Sequence, residues 1–150
     1  DMVRATLHRQ TMFAEFEAIA HGMVEKGTPL TSENLSEEYL RLNRLYYGDA
    51  IVHDELIAYE WSRIPHFYTS FYVYKYSTGI VSAISIADRI LTEGGAAVAD
   101  YKKFLSSGGS DGPVELLKIA GVDLTTRAPF EAAMHAFAET LDQLEKLLIK

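Results

Sequence analysis

Cysteine is absent from this sequence of 150 residues. Its absence excludes disulfide scaffolds, thiolate metal sites and a cysteine nucleophile, and it fits a reducing, cytoplasmic environment. Runs of lysine or arginine are also absent, and the formal net charge is −7 with a pI near 5.2. The basic surface that a nucleic-acid-binding protein needs is therefore missing, so neither DNA nor RNA is expected as a partner.

Long apolar runs are missing as well. No stretch approaches the roughly 20 apolar residues that span a bilayer, and the N-terminus lacks the basic-then-apolar order of a signal peptide. We therefore predict a cytoplasmic protein with no membrane partner. Hydrophobic residues still make up 48% of the chain, which is enough for a core, and the length suits one domain. We expect residues 1–150 to form a single helical unit.

Apolar residues recur at helical spacing over most of the chain, while glycines, prolines and capping residues mark where helices end. Thr31 is placed to cap a helix, Gly48 to end it, and Pro129 to open the last one. The predicted helices span about 2–26, 31–47, 54–63, 80–91, 96–105, 114–120 and roughly twenty residues from position 129. The sequence thus predicts an all-α fold, a multi-helix bundle of about seven helices.

The stretch IPHFYTSFYVYKYSTG at residues 64–79 holds four of the nine tyrosines. Alternation would place all four on one side of a β-strand, and aromatic residues favour strands. Helical spacing instead puts Tyr68, Tyr72 and Tyr76 in one stripe. We prefer the helix, because only Gly79 interrupts the run into the plainly helical residues 80–91.

The same stretch is the strongest candidate for chemistry. Each buried tyrosine hydroxyl needs a hydrogen-bond partner, so a purely structural segment would use aliphatic residues instead. Tyrosine hydroxyls and a histidine are neutral donors that suit a developing oxyanion. A tyrosine stripe at helical spacing is also typical of a core edge whose hydroxyls reach water. From composition alone, both interpretations stay open.

Metal ligands are sparse. None of the five histidines has another histidine four residues away, as the zinc signature H-E-x-x-H requires. His53 with its acidic neighbours, and His21 with Glu25, offer a ligand or two at most, and structural or surface roles are favoured for both. No G-x-S-x-G nucleophile motif is present. We predict no complete metal site in this chain.

Three blocks of sequence carry a family resemblance. They are RQTMFAEFE at residues 9–17, WSRIPHFY and YVYKYSTG at residues 61–68 and 72–79, and GGSDGP, ELLK and AGVD at residues 108–113, 115–118 and 120–123. In this order, and over nearly the whole chain, they resemble the C-terminal part of oligoendopeptidase F.

The resemblance implies a zinc peptidase similar to the thimet oligopeptidases, with a channel that admits short peptides. This chain would be the C-terminal helical part of a larger, mainly helical enzyme whose zinc-binding helix and general-base glutamate lie upstream. The complete protein would be a zinc metalloendopeptidase that cuts internal bonds of short peptides. Its partners would be those peptides and the N-terminal part of the same protein, and the isolated chain would be inactive.

The resemblance also implies roles for single residues. His66 and Tyr74 would be catalytic and hold the scissile carbonyl, while Tyr68, Tyr72 and Tyr76 would bind the substrate. No metal ligand is expected in this chain. The residues themselves leave a different function open, namely a stand-alone helical interaction module that binds a peptide or a partner helix through its aromatic face.

Overall fold

The structure is a computed structural model that describes residues 1–149. It is helical throughout, with no β-strand in that range. The α-helices are α1 (Arg9–Glu25), α2 (Ser32–Tyr47), α3 (Tyr74–Glu93), α4 (Gly95–Ser106), α5 (Pro113–Ile119) and α6 (Ala128–Leu148). A π-helical turn (Arg4–His8) leads into α1, and two 3-10 helices, Glu55–Arg63 and Pro65–Tyr68, lie between α2 and α3.

The all-α prediction is confirmed. Counting the longer 3-10 helix, the described residues contain seven helices of seven residues or more, at the positions that the apolar spacing predicted. The chain divides into two compact parts, one from Asp1 to Ser77 and one from Thr78 onward. The single helical unit over residues 1–150 stays a prediction.

Helix ends in the N-terminal part follow local chemistry. The Thr31 side chain accepts a hydrogen bond from the backbone N–H of Asn34 at 3.2 Å, which satisfies a free donor at the start of α2. Gly27, at φ +74°, follows the end of α1 in the left-handed region that glycine tolerates. These two features bring α1 and α2 back against each other.

The core of the N-terminal part is built from one face of α1 and one face of α2, together with two residues of the aromatic stretch. Its buried members are Met12, Phe13, Phe16, Tyr39, Leu42, Ile64 and Val73. Phe67 packs on this core edge-on to Phe13, with ring centroids 5.6 Å apart. The segment that carries His66 is therefore anchored by the ring beside it.

Glu60 is the polar centre of this part and is only 6% exposed. Its Oε2 accepts from the Tyr39 hydroxyl at 2.6 Å, and its Oε1 accepts from Arg9 Nη2 at 2.6 Å and also from Arg63. Burial acts to raise the pKa of Glu60, but hydrogen bonds from Arg9 and Tyr39 outweigh burial and hold the pKa below its ordinary value. The network joins α1, α2 and the 3-10 helix that precedes His66.

The predicted helix through the aromatic stretch is wrong between residues 69 and 73. The 3-10 helix ends at Tyr68, Phe71 takes a left-handed φ of +55°, and α3 begins only at Tyr74. The physical reason is a tertiary contact, because the buried Glu17 accepts the backbone N–H of Phe71 at 2.6 Å. That bond replaces the one the N–H would make inside a helix.

The C-terminal part has its own small core of Ile86, Ala120 and Val122. The Arg89 guanidinium donates to the carbonyl of Ala120 at 2.7 Å and forms ion pairs with Glu93 and Asp100. It thereby ties the end of α3 to the turn after α5.

Gly121 lies in that turn with φ +80°, and a Cβ on it would come within 1.8 Å of Arg89 Nη1. Gly121→Ala is expected to destabilise the C-terminal part by about 2–3 kcal/mol, from the left-handed backbone and the displaced Arg89 hydrogen bond. Chemical denaturation followed by circular dichroism measures this. The matched control is Gly95→Ala, whose added Cβ meets nothing within 4 Å. Equal stability of the two variants would show that the Arg89 contact is irrelevant.

Candidate functional site

His66, Tyr72 and Tyr76 form one cluster, which we call the His–Tyr cluster. His66 Nε2 and the Tyr76 hydroxyl share a hydrogen bond of 3.1 Å. The imidazole stacks on the Tyr72 ring with centroids 5.7 Å apart and planes only 12° from parallel. The two tyrosine rings meet edge to face at 5.7 Å. Three polar groups that can donate hydrogen bonds therefore converge at one place.

The local backbone explains this convergence. Pro65 opens the short 3-10 helix that presents His66. Phe71 then turns the chain at φ +55°, a conformation that costs a side-chain-bearing residue about 1–2 kcal/mol. Glu17 holds the Phe71 N–H, and the His21 ring stacks on the Phe71 ring at 4.5 Å. Strained residues held this way cluster at functional sites.

The start of α3 is fixed by a second set of contacts. Ser77 Oγ lies 2.9 Å from Thr11 Oγ1, and both hydroxyls reach the Leu7 carbonyl. These bonds anchor the first turn of α3 to the beginning of α1, one residue after Tyr76. These contacts thus fix the backbone next to Tyr76.

Electrostatics keep the Tyr76 phenol of the cluster protonated. Hydrogen bonding with the Tyr72 hydroxyl, followed by desolvation, raises the pKa of Tyr76 above its ordinary value of 10.0. The Lys75 ammonium lies over the Tyr72 ring, 4.9 Å from its centroid. Tyr76 is therefore a neutral donor at physiological pH.

The remaining predicted site residues lie nearby but in different surroundings. Tyr74 is the first residue of α3 and is 48% exposed. Tyr68 is 84% exposed and lines an apolar cavity beside α1. The ring contacts and the hydrogen bond that define the cluster link His66, Tyr72 and Tyr76. The roles predicted for these three residues and for Tyr74 and Tyr68 stay predictions.

The histidines considered as metal ligands have other contacts. His53 lies 2.8 Å from both Asn43 Oδ1 and the Gly48 carbonyl, and His21 stacks on Phe71. Across residues 1–149, no three His, Asp or Glu side chains group in a way that could hold a metal ion. The side chains of this stretch therefore do not fit a zinc ion.

Sequence reasoning missed two residues that shape the His–Tyr cluster, Glu17 and Phe71. Glu17 follows Glu15 by two positions on α1, so the two side chains cannot share a helix face. Their partners bear this out, since Glu15 accepts from the Tyr46 hydroxyl at 2.7 Å while Glu17 accepts from Phe71. No local signal marks Phe71 as left-handed. The sequence signal that could have found Glu17 is a glutamate on an otherwise apolar helix face.

The described residues thus form a helical fold that carries an exposed cluster of hydrogen-bonding histidine and tyrosine side chains. The model of peptidase family M3 matches residues 2–136, so the chain belongs to this family. No helix within residues 1–149 combines the length and apolar character needed to span a membrane.

Within the family, the similarity is to oligoendopeptidase F. Oligopeptidase PepF of Bacillus subtilis is 50% identical over 147 residues, which are 98% of this chain and 22% of the relative. An oligoendopeptidase F homolog of Borreliella burgdorferi is 46% identical over 98% of this chain and 25% of its own length. The crystal structure of oligoendopeptidase-F from Enterococcus faecium matches with a TM-score of 0.93 and 50% identity, covering 97% of this chain and 28% of that chain. The chain spans about a quarter of the length of the curated relatives it matches, and the predicted resemblance is confirmed.

Proposed function

We propose that this chain is the C-terminal portion of a zinc-dependent oligoendopeptidase that hydrolyses internal bonds of short peptides. Membership of peptidase family M3 and the similarity to oligoendopeptidases F support this proposal. Short peptides and the rest of the same polypeptide would be its partners, and the composition favours a cytoplasmic location. The peptidase activity would belong to the complete protein, with the isolated chain inactive.

The observation that carries the proposal is the hydrogen bond between His66 and Tyr76. When the Nε2 proton of His66 is donated to the Tyr76 oxygen, the phenol O–H can turn from the Tyr72 hydroxyl and donate to the carbonyl oxygen of a peptide bond. Negative charge develops on that oxygen as the carbonyl is attacked, and a preorganised donor stabilises the charge more than it stabilises the ground state. The Tyr76 phenol is neutral, so it does not add the cost of a buried charge.

The other tyrosines would hold the peptide. Tyr72 is fixed between His66 and Tyr76, while Tyr68 offers an exposed ring and hydroxyl. Tyr74 is proposed as a second donor near the scissile carbonyl. The bond to His66 favours Tyr76 as the phenol that acts together with the histidine.

Zinc enters the proposal only through the family resemblance. The residues described here offer it no site, so its ligands are proposed to lie elsewhere in the complete protein. In that protein, the metal would activate the attacking water. The roles proposed for His66 and the tyrosines do not depend on how the metal is held.

Tyr76→Phe in the complete protein is expected to lower kcat for short peptides about 10- to 100-fold with little change in KM, because the ring contacts remain and only the donor is lost. Tyr74→Phe, tested beside it, is expected to lower kcat less. Tyr59→Phe is the control, since Tyr59 lies half-exposed on the longer 3-10 helix, away from the cluster. Steady-state kinetics with short peptides measures all three. Unchanged kcat in both Tyr76→Phe and Tyr74→Phe would contradict the proposal.

A further inference from the structure

An apolar cavity of about 590 Å³ lies beside α1 in the N-terminal part, within the roughly 300–1,000 Å³ typical of small-molecule pockets. Its walls include Phe16, Leu35, Trp61, Phe67 and Tyr68. Phe67 and Tyr68 follow His66 directly in the chain. The cavity therefore adjoins, along the backbone, the segment that carries the His–Tyr cluster.

Acidic side chains break the apolar lining. Glu17 and Glu25 lie on one face of α1, two turns apart, with His21 between them, and all three line the cavity. None of the residues that line it within the described chain is a lysine or arginine. The described chain therefore supplies no lysine or arginine to complement the carboxylates of the cavity, and a cationic ligand would.

Glu17 is the informative group because it is only 4% exposed. One carboxyl oxygen accepts the Phe71 N–H, and the other has no hydrogen-bond partner among residues 1–149. A single free oxygen suits the point charge of an ammonium group better than a planar guanidinium, which pairs with two oxygens.

We propose that the cavity binds the N-terminal residue of a peptide, with its ammonium on Glu17 and a large apolar side chain against the aromatic walls. In an N-terminal residue, the ammonium group and the side chain are attached to the same Cα. This arrangement matches the cavity, which is lined by the Glu17 carboxyl group together with aromatic rings. A lysine would place its ammonium at the end of an unbranched stem and leave most of the volume unfilled. The inference rests on the proposed function, because it names the part of the substrate that this cavity holds.

The test is isothermal titration calorimetry on the complete protein with L-phenylalaninamide and with N-acetyl-L-phenylalaninamide. The free amine is expected to bind at least about 10-fold more tightly than the acetylated compound, since acetylation removes the charge that pairs with Glu17. Glu17→Gln keeps an acceptor for the Phe71 N–H but removes the charge, and it is expected to abolish most of that preference. Glu15→Gln is the matched control, because Glu15 contacts Tyr46 and does not line the cavity.

The inference would be overturned by equal binding of the two amides, by a preference that Glu17→Gln retains, or by tighter binding of N-acetyl-L-lysinamide. Absence of binding by either phenylalanine compound, as when another segment of the complete protein fills the cavity, would overturn it too. Peptide hydrolysis with no preference for the free amine would count against this inference alone. Selective binding of the free amine without hydrolysis would count against the proposed function alone.

Discussion

Replacing His66 with alanine in the complete protein is expected to lower kcat for short peptides about 100-fold, with a much smaller change in KM. Alanine removes the Nε2 atom that shares a hydrogen bond with the Tyr76 phenol, and it also removes the ring that stacks on Tyr72. Both losses are expected to weaken hydrogen bonding to the carbonyl oxygen, where negative charge develops. The transition state is therefore expected to lose more stabilisation than the bound substrate. Steady-state kinetics at saturating and limiting peptide concentrations separates the two parameters.

A matched control for this variant is His135→Ala. His135 is exposed on α6, where it pairs with Glu139 in the next turn, and its loss is expected to leave kcat unchanged. A fall in kcat of similar size in both variants would point to general destabilisation. A rise in KM without a fall in kcat in His66→Ala would limit His66 to ground-state binding.

Glu60→Ala is expected to destabilise the N-terminal part by about 3 kcal/mol, because it leaves the buried Tyr39 hydroxyl without an acceptor and Arg9 without its ion pair. The loss should be visible as a lower midpoint in chemical denaturation. Arg63 is largely exposed, so its share of the loss is expected to be small. Glu38→Ala, which removes a carboxylate paired with the largely exposed Arg41, is expected to cost far less.

The same network predicts a pH dependence of stability. The pKa of Glu60 is lower in the folded protein than its ordinary value of 4.5. Its stabilising contribution is therefore complete above about pH 4.5 and is lost as the pH falls through the lower, folded-state pKa. Glu60→Gln is expected to be less stable than the parent at pH 7 but to lose less stability on acidification. Parallel pH profiles for the two proteins would contradict the assigned role of Glu60.

Helix positions were predictable because their signals are local. Thr31 caps α2 through its own side chain, and Gly27 supplies the left-handed turn after α1. Residues 55–63 were predicted as a helix, but the structure has a 3-10 helix there. The apolar residues of this segment follow one another at spacings of one or two positions, which favour neither a period of 3.0 nor a period of 3.6, so the sequence does not separate the two.

The path of the aromatic stretch was not predictable for a different reason. It depends on Glu17, which lies 54 positions before Phe71 and takes its N–H. A local pattern carries no information about such a partner, so the stripe of Tyr68, Tyr72 and Tyr76 was drawn as one continuous helix. Breaking the helix separates Tyr68 from the other two and brings Tyr76 to His66. The same long-range contact decides which phenol accompanies the histidine.

The most direct test of the His–Tyr cluster is a double-mutant cycle on kcat with His66→Ala, Tyr76→Phe and the double variant in the complete protein. If the histidine acts through the phenol, the double variant should lose little more activity than the more damaging single variant. The expected kcat of the double variant is thus within about threefold of that of His66→Ala. Losses that multiply, or single variants whose kcat equals that of the parent, would contradict the account.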